Sequence, residues 1–274
     1  MSIDTAWIFD IDGVVTNPSE KKVKEPQILV HIANKLKAGE PVAFNTGRSS
    51  SWLIERVINP LLEMIEDRSV LQNFIAVSEK GGCWITFDRG GTMREHKDDS
   101  ISIPKSLQQQ VKKLIDENYS SSMFYDNSKQ TMISTEMNDG MSIEEYRKDQ
   151  IKLTVQLKKI LQENNFLDKL KLDPTTIATD IENIHVGKGF ATERILELLK
   201  EKGIIPKQFI AFGDSPSDIA MAQKLHERNL TFTFIFVDDK GQLKGAEHPF
   251  PIIYTKSRFD KGTLEFLNTG KENP

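Results

Sequence analysis

The stretch Ala6-Trp7-Ile8-Phe9-Asp10-Ile11-Asp12-Gly13 decides the fold class of this 274-residue chain. Its apolar run is short and stops on two acids and a glycine, the pattern of a buried strand closed by a turn. Downstream, Pro26, Ile28, Leu29, Ile32, Ala33 and Leu36 recur at helical spacing behind a proline in the first turn. Residues 41–44 form a second brief apolar run, stopped by Asn45-Thr46-Gly47. Residues 50–64 return to helical spacing through Leu53, Ile54, Val57, Ile58, Leu61 and Leu62, and residues 73–77 read as a third strand. Strand and helix in alternation predict an α/β fold whose parallel sheet is wound by right-handed crossovers.

The alternation breaks after Gly81-Gly82. Strand-like runs at 83–87 and about 123–137 share the next region with helical stretches near 104–118 and 143–164, which predicts an inserted α+β unit. From Gly187 the first pattern resumes. A helix from Phe190 to Lys200 leads to an apolar run at 209–212 that stops at Gly213-Asp214. A helix at about 216–226, runs at 232–237 and 252–254, and a last helix near 259–267 complete it. The expected organisation is a discontinuous core of residues 1–83 and 183–274 with a second domain, residues 84–182, inserted between its halves.

Composition excludes several classes of function. Basic residues number 36 and acidic residues 40, a net charge of −4, so no global basic field points to nucleic acid. The single cysteine, Cys83, cannot form an internal bridge and suits a reducing compartment, so a cytoplasmic location is expected. No run of about 18 apolar residues exists and no apolar stretch follows a positive start, so neither a membrane span nor a secretion signal is expected. No fixed-period repeat is present, which excludes solenoids.

In open parallel sheets, ligands bind beyond the carboxyl ends of the strands. Asp10 and Asp12, Thr46, and Asp214 all stand at such ends, and Lys188 opens the helix that follows the insertion. Asp10 and Asp12 project to the same side if the strand persists through them. Two close carboxylates repel unless a cation or a shared proton intervenes, and a hard cation such as Mg2+ would satisfy them. Solvated acids in a loop are the alternative. Asn45-Thr46-Gly47-Arg48 offers a hydroxyl and backbone N–H groups to an anion, or is an ordinary turn with a cap among Ser49-Ser50-Ser51. A lysine at a helix start, like Lys188, opposes the helix dipole by about 0.3–1 kcal/mol, which favours a role over decoration. Ser215, Pro216 and Asp218 form a helix-start signature. Capping accounts for Ser215 and Asp218 but leaves Asp214 unexplained.

Taken together, the four segments resemble those of the haloacid dehalogenase superfamily. Asp10-Ile11-Asp12-Gly13-Val14-Val15-Thr16 is similar to its first motif, Thr46-Gly47-Arg48 to the second, Lys188-Gly189 to the third, and Gly213-Asp214-Ser215-Pro216-Ser217-Asp218 to the fourth. The insertion resembles the large type IIB (C2B-type) cap found in sucrose-phosphate phosphatase and the Cof-type phosphatases, and Ser78-Glu79-Lys80-Gly81-Gly82 resembles the segment that leads into it. Two departures stand out. Ser217 replaces a frequent Asn in the fourth motif, and Lys80 stands where Asn is common.

The resemblance implies a Rossmann-like, doubly wound core and a Mg2+-dependent phosphatase acting on a small phosphomonoester, first among them a sugar phosphate. Asp10 would be the nucleophile that forms an aspartyl-phosphate, and Asp12 the general acid and base. Thr46, Gly47 and Lys188 would hold the phosphate. The metal would take the Asp10 and Asp214 carboxylates and the Asp12 carbonyl, with Asp218 and Ser215 supplying outer hydrogen bonds. Phosphotransfer by a mutase of the same branch, and a non-catalytic phosphate-binding protein on this fold, are the rival readings. No nucleic-acid or membrane partner is implied.

Overall fold

The computed structural model describes residues 3–238, 243 and 247–269. They form two compact units, residues 1–96 with 187–274 and residues 97–186.

The first unit is an eight-stranded sheet. Its strands are β1 (Ile3–Phe9), β2 (Val42–Asn45), β3 (Phe74–Ser78), β4 (Cys83–Phe87), β5 (Met93–Lys97), β10 (Pro206–Gly213), β11 (Phe232–Phe236) and β12 (Ile252–Tyr254). They lie in the order β12-β11-β10-β1-β2-β3-β4-β5. Pairing is parallel from β12 to β3 and turns antiparallel at β3–β4. Alternation along β1 explains why both faces are covered. Phe9 packs with the helices Pro26–Lys37 and Phe259–Thr269, whereas Ile8 packs with Lys188–Glu201 and Ile219–Glu227. Phe9 also stacks on Phe212 of β10, with ring centroids 4.7 Å apart, which adds about 0.5–1.5 kcal/mol to the burial of either ring. The fold is α/β and doubly wound, as the alternation of strands and helices predicts.

The 50–64 helix is less regular than its spacing implies. Helical segments Ser50–Leu53 and Asn59–Glu63 flank a widened turn at Ile54–Ile58. Such wide turns occur mostly as single turns inside α-helices. Ser49 caps its start by accepting a hydrogen bond from the Trp52 amide.

The second unit is a four-stranded antiparallel sheet. Its strands are β6 (Met123–Tyr125), β7 (Ile133–Met137), β8 (Leu170–Pro174) and β9 (Ala178–Asn183), in the order β6-β7-β9-β8. The helices Lys105–Asn118 and Ile143–Glu163 bury Leu107, Val111, Ile115, Leu153 and Leu157 with Met123, Ile133 and Ile181 of the sheet. The first boundary differs from the expected residue 84. Residues 83–97 carry β4 and β5, which extend the larger sheet instead of opening the insertion.

Candidate active site

The strand order places β10, β1 and β2 side by side. Asp214, Asp10 and Thr46 directly follow these three strands and therefore emerge at neighbouring carboxyl ends. Backbone bonds hold them there: the Asp10 amide donates to Phe212 and the Thr46 amide to Val77, at 3.1 and 3.0 Å.

Asp10, Asp214 and Asp218 form the acidic centre. One carboxylate oxygen from each lies within 4.8 Å of the others. Asp10 and Asp218 are buried. Two glycines make this crowding possible. Gly13 has φ +78°, and a Cβ there would stand 2.0 Å from Asp214 Oδ2. A Cβ at Gly213 would meet Asp218 Cβ at 2.3 Å. Asp218 Oδ2 accepts from the Asp214 and Ser215 amides and from Ser215 Oγ at 2.8–3.1 Å, the reciprocal cap that Ser215 and Asp218 predict.

Lys188 is the cation of this centre. Its Nζ donates to Asp10 Oδ1 and to the Asn45 carbonyl at 2.8 Å, and it pairs with Asp218 Oδ1 at 2.9 Å. Asn45, fully buried, donates in turn to the Lys188 carbonyl and to Thr192 Oγ1 at 2.9 and 3.1 Å. That reciprocal grip ties the end of β2 to the start of the Lys188–Glu201 helix. Burial raises the pKa of Asp10 well above the ordinary carboxylate value; the neighbouring Asp218 and Asp214 add to the rise, and Lys188 opposes it. Burial, then Asp218, pushes Asp214 up to about 7. Burial alone would depress Lys188, but the Asp10 and Asp218 carboxylates outweigh it and raise its pKa.

Asp12 does not share this centre through its carboxylate. β1 ends at Phe9, so the side-by-side projection expected from a continuing strand is lost. Asp12 instead takes two hydrogen bonds, each 2.9 Å, from the Arg48 guanidinium. Arg48 also covers the Trp52 ring, 4.7 Å from its centroid. The turn behind Asp12 is closed by Gly13 N–H to the Thr16 carbonyl and by Thr16 Oγ1 to the Ile11 carbonyl. Thr46 Oγ1 accepts from the Arg48 amide at 3.1 Å and keeps its own hydroxyl proton for donation. Thus the structure gathers Asp10, Asp214, Asp218, Ser215 and Lys188 into one cluster, with Thr46 and Gly47 at the adjoining strand end and Asp12 held by Arg48. The parts of Arg48 and Asn45 escaped sequence reasoning. Arg48's place beside Thr46-Gly47 was a usable signal, but its pairing with Asp12 appears only once the loops meet.

A second acidic group, Asp173, Asp180 and Glu182, lies on β8 and β9. Lys171 pairs with Glu182 at 3.3 Å and Ser134 Oγ donates to Asp180 at 2.6 Å, so cross-strand neighbours account for its placement.

The family model of haloacid dehalogenase-like hydrolases matches residues 77–227, which include Lys188, Asp214 and Asp218 and begin after Asp10 and Thr46. The chain belongs to this family of hydrolases. No curated protein matches it in sequence. Among solved structures, the sucrose-phosphatase of Synechocystis, in complex with sucrose and phosphate, is 16% identical with a TM-score of 0.57, each chain covered to 98%. The trehalose-6-phosphate phosphatase of Aspergillus fumigatus is also 16% identical with a TM-score of 0.53, covering 98% of this chain and 93% of its own. The IMP-nucleotidase of Plasmodium falciparum is 14% identical at a TM-score of 0.55 over 78% of this chain. The chain spans about half the length of that nucleotidase (52%). At such identities these likenesses establish a shared fold. Among the described residues, no helix is long and apolar enough to cross a membrane.

Proposed function

We propose that the chain is a Mg2+-dependent phosphomonoester hydrolase that forms an aspartyl-phosphate on Asp10. Its substrate on this reading is a small phosphorylated metabolite, with sugar phosphates the first class to test. The observation that carries the reading is the buried Asp10 carboxylate, set at a strand end between Lys188 and the Asp214–Asp218 pair. The family supports hydrolysis, and the names of two structural neighbours, phosphatases of sucrose phosphate and trehalose 6-phosphate, suggest the leaving group. The lone Cys83 fits a cytoplasmic setting. Residues 97–186, a compact unit of their own, are read as the counterpart of the expected cap domain.

The donor set fits a divalent cation. Three carboxylates converge with one ammonium among them, and burial with mutual repulsion raises Asp10 and Asp214. Hard oxygen donors of this kind suit Mg2+. The Asp10 and Asp214 carboxylates and the Asp12 carbonyl would hold it, with Asp218 and Ser215 fixing the Asp214 loop from behind. When bound, Mg2+ neutralises the acidic cluster and offsets the negative charge of the phosphoryl oxygens.

The chain's own groups then divide the chemistry. Asp10 attacks phosphorus as its P–O bond to the leaving alkoxide breaks, and Asp12 delivers a proton to that oxygen. A water attacks the aspartyl-phosphate in the second step, gives its proton to Asp12, and inorganic phosphate departs. Arg48 orients Asp12 from one side, and a protonated Asp12 can keep one of these hydrogen bonds while the other oxygen carries the proton. Thr46 Oγ1 and the Gly47 amide donate to the phosphate at the helix start.

A panel of phosphorylated sugars, nucleotides and glycolytic acids, assayed for phosphate release, tests the reading. Release from at least one class is expected. Isomerised substrate with little free phosphate, seen by chromatography, would favour the mutase, and binding without either product the non-catalytic reading. Gly13→Ala is expected to lower kcat about 10²-fold, because the new Cβ must displace Asp214 by about an ångström or more. Steady-state kinetics on a variant shown to be folded by circular dichroism would check it.

A further inference from the structure

Lys188 is the expected phosphate-binding lysine, and its ammonium has an N–H to spare for that task. Of its three donors, one goes to Asp10 Oδ1 and one to the Asn45 carbonyl at 2.8 Å. Asp218 Oδ1 lies 2.9 Å away as an ion pair but accepts no hydrogen bond among the described residues. The direction of the third N–H is therefore set by the other two bonds. A lysine stem is a flexible chain of four carbons, and Gly187, at the helix start, has no side chain to cap the first turn. The hold on Lys188 has to come from a neighbouring element.

Asn45 supplies it at both ends of the lysine. Its backbone carbonyl takes the ammonium, and its side-chain Nδ2 donates to the Lys188 carbonyl at 2.9 Å. Nδ2 also donates to Thr192 Oγ1 at 3.1 Å, and Thr192 Oγ1 donates to the same Lys188 carbonyl at 2.8 Å, which closes a ring of three groups. A carbonyl only accepts, so the Lys188 carbonyl fixes which end of the Asn45 amide faces it. The position itself suits hydrocarbon. Asn45 ends β2 opposite Val77 of β3 and is fully buried. Ala43, two residues earlier on the same face, belongs to the apolar cluster of Ala191 and Ile195 from the Lys188–Glu201 helix. Asn45 Oδ1 has no donor among the described residues, and a buried acceptor of that kind is a cost that an apolar side chain avoids. The two N–H groups of the amide are what this position gains from an asparagine.

We propose that Asn45 is the positioning residue for Lys188, holding it from carbonyl to ammonium so that the third N–H is aimed at a phosphoryl oxygen of the substrate. Asn45 acts through the lysine and makes no contact with substrate of its own. The inference rests on the phosphatase reading and assigns a further task within that site.

Inorganic phosphate is the first probe, titrated calorimetrically into the full chain with Mg2+ present. Asn45→Ala and Asn45→Val are expected to weaken its binding about fivefold or more, the loss that follows when a charge-assisted hydrogen bond is misaligned. The second probe is the ammonium itself. In protein labelled with heavy nitrogen at lysine Nζ, the NMR signal of Lys188 is assigned by its disappearance in Lys188→Arg, and it should shift or broaden in both Asn45 variants. Asn45→Val guards against a defect of folding, because a β-branched side chain suits a strand in apolar surroundings, and it should melt within about 4 °C of the parent. Phosphate affinity within about twofold of the parent in both variants overturns the proposal. So does weaker binding with the Lys188 signal unchanged, or weaker binding only in step with a falling melting temperature, either of which would make Asn45 a structural residue. Binding is read without turnover, so a parent that binds phosphate but hydrolyses no ester defeats the phosphatase reading alone. A parent that binds no phosphate defeats both.

Discussion

Asp10→Asn is expected to abolish nearly all phosphate release, with a loss of about 10³-fold or more, the scale that follows when a covalent nucleophile is removed. The amide keeps the shape of the carboxylate but cannot attack phosphorus, and among the described residues Asp10 is the acid that directly follows β1 beside Lys188. The stability change runs the other way. A carboxyl whose pKa is raised by burial and by neighbouring acids is held against its preference at neutral pH. Replacing it with a neutral isostere should leave the melting temperature of the metal-free protein unchanged or higher. Rapid-quench and steady-state assays of phosphate release, paired with a thermal melt, separate the two effects. Near-normal turnover in the folded variant would remove Asp10 from the chemistry.

Chelation should silence the enzyme as completely. EDTA is expected to abolish activity and excess Mg2+ to restore it, because the single Lys188 ammonium does not balance the Asp10, Asp214 and Asp218 carboxylates beside a phosphate dianion. A thermal signature accompanies this. Asp214 is raised from 3.8 to about 7, so between those values the folded state binds more protons than the unfolded one. Stability from this group is complete below about pH 4 and is lost as pH rises through 7. Mg2+ competes with those protons, so its addition should raise the melting temperature more at pH 8 than at pH 5.5. Equal shifts at both pH values, or activity indifferent to EDTA, would count against the assigned ligands.

The central strands and the positions of the acids were readable in the letters because each strand is a dense apolar run closed by a polar residue. Residues 6–9 ending at Asp10, 41–44 ending at Asn45-Thr46, and 209–212 ending at Gly213-Asp214 all follow that rule. β5, β8 and β9 do not. β5 reads Met-Arg-Glu-His-Lys and is mostly exposed, and β8 and β9 carry Lys171, Asp173, Asp180 and Glu182 among few apolar residues. Such segments are strands because neighbours pair with them, and pairing between distant residues leaves no local period to detect. The same limit hid the partners of Asp12 and Asn45. Arg48 and Asp12 meet across 36 positions, and Asn45 and Lys188 across 143.

The neighbours of β1 bear on biosynthesis. One flank, β2, follows within about one helix of chain, but the other is β10, whose Pro206 pairs with Ile3. A ribosome must therefore make most of the polypeptide before the central strand is covered on both edges. Until then a hydrophobic ribbon with an open row of amides and carbonyls stays exposed to other nascent chains, the circumstance in which slow, non-local topologies depend on chaperones.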